Sequence, residues 1–211
     1  MTVESDAKVY RELAGRDAVL AGLVVTYGHP NPSGWEDGGR TGGGKFAALL
    51  LQIIGQQLSP TASFTIYDRL STAIGGVPTP KAIQALGVDG LRACALSGPK
   101  AGYALALAEA ELTGGLDIEN LDQLPDAEIV ERLTAVRGIG LSSAQTFLVR
   151  TLGRPDVLPE SNNGIRRAIQ RSWGTAELPS ADEVRERGEA WAPYRSYAAT
   201  LLWRSLAPAA P

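Results

Sequence analysis

The sequence predicts an all-α chain, and three observations carry that expectation. Apolar residues recur at three- and four-residue steps through nearly the whole length. Ser, Thr and Asp stand at cap positions ahead of proline or apolar runs. No stretch shows convincing strand patterning, and there is no repeat beyond generic helix pairs.

Taken in order, Asp6 to Leu13 and Asp17 to Tyr27 each carry a helical apolar stripe. Gly28 to Gly44 is a long glycine-rich loop of the mobile or functional kind. Trp35 within it reads as a loop anchor or as a ligand contact. Lys45 to Ile54 is almost wholly apolar and so predicts a buried helix. Ser59 caps the next helix, with Pro60 at its first position, and that helix runs to about Ile74, where Gly75, Gly76 and Pro78 close it. Thr79 caps a short helix through Leu86, and a second holds Leu91 to Leu96. Ser97-Gly-Pro-Lys100 turns into an alanine-rich helix from Ala101 to Leu112. Another helix starts at Asp126, behind Leu124-Pro125. Ser180-Ala-Asp-Glu183 is a capping box for a helix to about Trp191. Ala192-Pro-Tyr194 interrupts, and Arg195 to Ser205 is the last helix.

Composition bounds what this fold can do. The 211 residues make one large domain or two small lobes sharing a cleft. An apolar fraction of 44% is ordinary for a globular core. A formal net charge of −3 argues against a chain coated in basic residues, yet leaves room for a local basic patch. One cysteine, Cys94, excludes a disulfide framework and a cysteine-ligated cluster, and reads as a small core residue. One histidine, His29, cannot build a histidine-based triad or a zinc site. No apolar run is long enough to cross a bilayer, and the N-terminus lacks a signal peptide's order, so a cytoplasmic location is expected.

The stretch from Leu133 to Gln170 organises the rest. Arg137-Gly138-Ile139-Gly140 interrupts one helical pattern and a fresh one starts at once, running to about Leu152. That is a tight helical hairpin. Its second helix begins with partnerless N–H groups and a positive dipole end, where a phosphate can sit. The plain reading is an αα turn with no ligand. Gly55-Gln56-Gln57-Leu58-Ser59 lies between two apolar helices. It is either a polar turn, or a loop whose amides bond bases or plug a gap in a base stack. Arg166, Arg167 and Arg171 fall near one helix face and read as phosphate contacts or as solvated surface. Tyr197 and Trp203, on the last helix, read as core aromatics or as a stacking wall for a base.

Together these segments resemble the helix-hairpin-helix DNA glycosylase superfamily, with 3-methyladenine DNA glycosylase II as the most similar branch. The resemblance rests on Asp17-Ala-Val-Leu, Ile54-Gly-Gln-Gln-Leu-Ser59, Arg137-Gly-Ile-Gly140, Gly153-Arg-Pro-Asp-Val-Leu-Pro159, Gly164-Ile-Arg-Arg-Ala168 and Trp191 to Trp203. It runs from about residue 10 to 206.

The resemblance implies two helical lobes around a DNA cleft, with no β domain. One lobe would take residues 1–50 and 155–211, the other 51–154, with the hairpin at about 126–152. It implies a monomer that binds double-stranded DNA at a damaged or abasic nucleotide and excises alkylated purines. Gly138 and Gly140 would present amides to a phosphate, with Arg137, Ser143, Arg166, Gln56 and Leu58 in the DNA-contacting set. Gln57 matches the wedge that fills the gap left by the flipped nucleotide. Trp203, Ser142 and Tyr197 would line the base pocket. Carbonyls of Thr134, Val136 and Ile139 would hold a structural monovalent cation. No cofactor is implied for catalysis, and an iron–sulfur cluster is excluded by the cysteine count. Ser142 stands where bifunctional members carry a Schiff-base lysine, so lyase chemistry is not expected.

One departure bears on the chemistry. The family's catalytic aspartate aligns with Asn162. A carboxylate there stabilises the positive charge that develops on the sugar as the N-glycosidic bond breaks, and can position water. Asparagine keeps the shape and loses the charge, so catalysis by this chain is expected to be impaired. Either Asn162 disables a glycosylase, by design or by nature, leaving a binder of damaged DNA, or Glu160 supplies the carboxylate.

Overall fold

The structure is a computed structural model that describes residues 3–34 and 37–207. Trp35 lies outside the described residues. Among them the regular elements are helical, with no strand. In chain order they are α1 (Val3–Arg16), α2 (Ala18–Tyr27), α3 (Lys45–Gly55), α4 (Pro60–Ile74), α5 (Pro80–Ala93), α6 (Gly98–Leu112), α7 (Asp126–Ala135), α8 (Leu141–Arg150), α9 (Asn163–Trp173), α10 (Ala181–Gly188) and α11 (Arg195–Ser205). Short 3-10 turns at Ile118–Gln123 and Glu189–Trp191 complete them. The first has no counterpart in the sequence reading. None of these helices is long and apolar enough to cross a membrane.

The chain divides into two compact units, Met1–Trp35 with Leu148–Pro211, and Glu36–Phe147. The first change of unit thus precedes α3, where the sequence reading placed it at residue 50, and the second falls within α8, not at 154. The reason is the apolar face of α3. Phe46, Leu49, Leu50, Ile53 and Ile54 are all buried, and α3 packs on α4 and α6 of the central unit.

In the central unit, Ser59 and Thr79 cap α4 and α5 through their hydroxyls, each followed by proline. Gly87, with a φ of 61° and an extended ψ, breaks the helical path inside α5, so the span holds two short helices as expected, the second ending at Ala93. The glycine-rich segment is hydrogen-bonded from Asp37 onward. The Asp37 carboxylate accepts from the amides of Gly39 (2.8 Å) and Thr41 (3.0 Å), and Arg40 pairs with Asp68 on α4 at 2.8 and 3.0 Å.

In the terminal unit, Tyr10, Leu13, Leu20, Ile165, Ile169, Val184, Trp191, Leu201 and Leu202 form one core. Asp17 caps α2 and also accepts the Trp191 indole N–H at 3.1 Å, which joins α2 to the turn after α10. Ser180 and Glu183 form the expected capping box. The segment that leads to Asn162 is strapped to the start of α11. Ser196, fully buried, donates to the Val157 carbonyl (3.1 Å) and accepts its amide (2.9 Å). Asp156 takes a forked pair from Arg195 at 2.7 Å each, plus the Arg195 amide at 3.1 Å.

Burial alone would raise the Asp156 carboxyl. The Arg195 guanidinium and amide outweigh it and hold the group below the usual carboxylate range. Its stabilising effect is therefore full above the unfolded value, about pH 3.9, and is lost as pH falls through the lower folded value. Asp156→Asn is expected to lower the melting temperature by a few degrees at neutral pH. The same change should shrink the loss of stability below about pH 4, as read in paired acid melts.

Candidate DNA-binding and base-excision site

The hairpin lies in the central unit. Val136 ends α7, and its carbonyl accepts the Ile139 amide at 3.1 Å, closing a turn of a few residues before α8. Gly138 sits at a φ of +96°, in the region that side-chain-bearing residues rarely adopt. A Cβ there would lie 2.1–2.6 Å from three side-chain carbons of Tyr103 on α6. The Arg137 guanidinium carbon stands 5.8 Å from the centre of that ring. Gly140 differs: it is exposed, and a Cβ on it would meet nothing within 4 Å. The first turn of α8 therefore opens to solvent at Gly140, beside Leu141, which is 44% exposed.

The Gln56–Gln57 turn is tied to the hairpin. The Gln56 side-chain amide donates to the Gly138 carbonyl at 2.9 Å and to the Ser143 hydroxyl at 3.4 Å. Gln56 is thus a brace between two loops of one unit, and not a side chain free to reach bases. Gln57 is exposed with a φ of +58°, and Leu58 beside it is 41% exposed. A non-glycine residue in that region costs about 1–2 kcal/mol, and such strain concentrates at functional positions.

Asn162 lies in the terminal unit as the N-cap of α9. Its side-chain oxygen accepts from the amides of Gly164 (2.9 Å) and Ile165 (3.2 Å) and from the Trp203 indole N–H (3.1 Å). Gly164 makes that convergence possible. A Cβ there would stand 3.0 Å from the Asn162 oxygen and 3.1 Å from the indole. The Arg150 guanidinium stacks on Trp203 at 4.3 Å from the ring centre. Burial lowers Arg150 to about 10, so it is cationic at neutral pH. Three N–H donors, two of them from a helix N-terminus, thus converge on one neutral amide oxygen, an arrangement suited to a carboxylate.

Other site candidates are placed differently. Tyr197 is 1% exposed, packs edge-on against Tyr10 and donates its hydroxyl to Asp6 at 3.2 Å, so it belongs to the core and offers a base no face. Arg166 turns away from solvent and donates to the Pro179 carbonyl at 2.6 Å, while Arg167 and Arg171 stay exposed. Glu160 faces Arg185 of α10 at 3.7 Å. Ser142 stands, half-buried, in the first turn of α8. Thr134 is exposed and bonds the Val130 carbonyl at 2.7 Å. No group of three or more His, Cys, Asp or Glu among the described residues could hold a metal ion. Tyr103, Arg150 and Ser196 escaped the sequence reading, since a lone aromatic, arginine or serine on a helix carries no spacing signal.

An all-helical chain with a Gly-x-Gly hairpin opening a helix N-terminus defines the helix-hairpin-helix class. A family model for the HhH-GPD superfamily of base excision DNA repair proteins matches residues 51–193, and the chain belongs to that family. It is similar to YfjP of Bacillus subtilis, with 34% identity over 168 residues, covering 76% of this chain and 58% of that one. DNA-3-methyladenine glycosylase 1 of Schizosaccharomyces pombe is 30% identical over 163 residues, covering 76% of this chain and 72% of that one. The solved structure of Schizosaccharomyces pombe 3-methyladenine DNA glycosylase Mag1 with abasic DNA superposes at a TM-score of 0.83 and 29% identity, covering 94% of this chain and 96% of that one. The 3-methyladenine DNA glycosylase of Archaeoglobus fulgidus superposes at 0.77 and 28% identity, covering 94% and 68%.

Proposed function

We propose that the chain binds double-stranded DNA as a monomer at damaged or abasic nucleotides, on the scaffold of a monofunctional glycosylase for alkylated purines. It would act where chromosomal DNA is, in the cytoplasm of its cell. The observation that carries the reading is the convergence of three N–H donors on Asn162 beside the half-buried Trp203. Gly138 and Gly140 receive a phosphate, with Arg137 and Ser143 beside them. Gln57 fills the gap left by a flipped nucleotide, and Leu58 packs against the neighbouring bases. Trp203 stacks the base, and a serine at 142, in place of a lysine, supplies no amine for Schiff-base chemistry. Hydrolysis on this scaffold needs no cofactor. Carbonyls of Thr134, Val136 and Ile139 suit a hard monovalent cation, whose charge would face the same phosphate. With Asn162 neutral, the chain is slow at the bond-breaking step. The same neutrality favours a second reading, a protein that binds lesions without excising them.

Gly140→Asp tests the DNA reading cleanly, because the side chain enters open space and the fold tolerates it. A duplex carrying a tetrahydrofuran abasic analogue is expected to bind more tightly than an intact one, with affinity falling linearly in log salt. Gly140→Asp should weaken binding about tenfold by repelling a phosphate. Absence of salt-sensitive binding to that duplex at low ionic strength would end the proposal.

A further inference from the structure

Lys100 sits in the first turn of α6, behind Ser97, Gly98 and Pro99. A cation there faces the positive end of its own helix dipole, which is unfavourable unless the side chain serves something else. It does. The Lys100 ammonium donates to the carbonyls of Ile54 (2.7 Å) and Gln56 (2.6 Å), at the negative end of α3. The Gln56 carbonyl belongs to the peptide that leads directly into Gln57 and its positive φ. The next residues of α6 hold the hairpin: the Tyr103 ring covers Gly138, and Gly102 leaves room for the Arg137 guanidinium, which a Cβ would meet at 2.5 Å. Gln56 closes the circuit by bonding Gly138 and Ser143.

We propose that Lys100 is a positioning residue for DNA recognition. It pins the Gln56–Gln57 turn onto α6, and α6 carries the hairpin, so the wedge and the phosphate site meet DNA as one rigid piece. The inference rests on the DNA reading above. Without the two charge-assisted bonds the strained Gln57 conformation relaxes, and the wedge no longer stands where a lesion needs it, although α6 and the hairpin persist. Burial lowers the Lys100 ammonium below the ordinary lysine value.

Lys100→Met keeps the stem and removes the donors, Lys100→Arg restores a cation, and exposed Lys81→Met controls for charge. Three readouts separate the cases. Amide exchange at Leu58, whose N–H bonds the Gly55 carbonyl at 3.0 Å, is followed without DNA. Fluorescence of 2-aminopurine beside a tetrahydrofuran site reports wedge insertion. Affinities for abasic and intact duplexes are compared at fixed salt. In Lys100→Met, Leu58 exchange should rise about tenfold, and the fluorescence rise and the preference for abasic DNA should fall about tenfold. Intact-duplex affinity should change less than about twofold. Lys100→Arg should recover most of the loss, and Lys81→Met should match the parent. The inference is overturned if Leu58 exchange is unchanged, if both duplexes lose affinity together with helical melting, or if arginine restores nothing. A parent chain without abasic preference would overturn the DNA reading instead, and the exchange result would still decide whether Lys100 pins the turn.

Discussion

Aspartate in place of Asn162 is expected to raise release of 3-methyladenine or 7-methylguanine from alkylated duplex DNA by about 10²–10³-fold, the effect of roughly 3–4 kcal/mol of transition-state electrostatics. The site is built for the change. Asn and Asp are equivalent N-caps, so α9 keeps its start. The amides of Gly164 and Ile165 and the Trp203 indole already aim at the oxygen that would become a carboxylate. Three donors onto one oxygen and the α9 dipole favour the ionised form, so the aspartate would be charged at neutral pH. That charge then faces the positive charge that grows on the sugar as the base leaves. Counting released base from the parent and the Asn162→Asp variant decides the matter. Release by the variant alone makes Asn162 the switch on a glycosylase scaffold. Equal release by both moves the chemistry to Glu160 or to spontaneous loss of a cationic base. Release by neither, with abasic DNA still bound, favours the lesion-binding reading or another lesion. Asn162→Ala separates cap from charge: it should cost about 1 kcal/mol of stability and gain no activity.

Gly138→Ala should be the most damaging single methyl group in the chain. Its φ of +96° is strained for any side chain, and its Cβ would fall 2.1–2.6 Å from three carbons of Tyr103. Strain and overpacking together cost about 2–4 kcal/mol. For a chain of this size that lowers the melting temperature by roughly 5–15 °C. Below the new melting point, affinity for abasic DNA should still be lost, because the hairpin must tilt off α6 to make room, carrying Gly140 with it. Opening space with Tyr103→Ala in the Gly138→Ala background relieves the clash and leaves the φ strain, so recovery should be partial. Full recovery would show that the backbone conformation matters little. No loss in the single variant would remove the close packing as the reason for glycine.

Periodicity and caps were enough to read the helices off the sequence, because both are local. Ser59-Pro60, Thr79-Pro80 and Ser180 with Glu183 mark their helix starts by bonds that reach only three residues. The family was legible as well, since it rests on motif order along the chain. Tertiary structure alone decided what long-range contacts govern. Tyr197 and Trp203 are one helix's aromatics, yet only packing against Tyr10 and Asp6 separates a core residue from one half-buried beside Asn162. Gln56 and Gln57 are identical neighbours, and only the Gly138 carbonyl, 82 positions away, makes one a brace and leaves the other exposed. Lys100 looks misplaced in sequence because its partners lie on another helix. Hydrophobic pattern dictates which faces are buried, whereas partners distant in sequence are set by how those faces meet, and that is where the candidate site acquires its geometry.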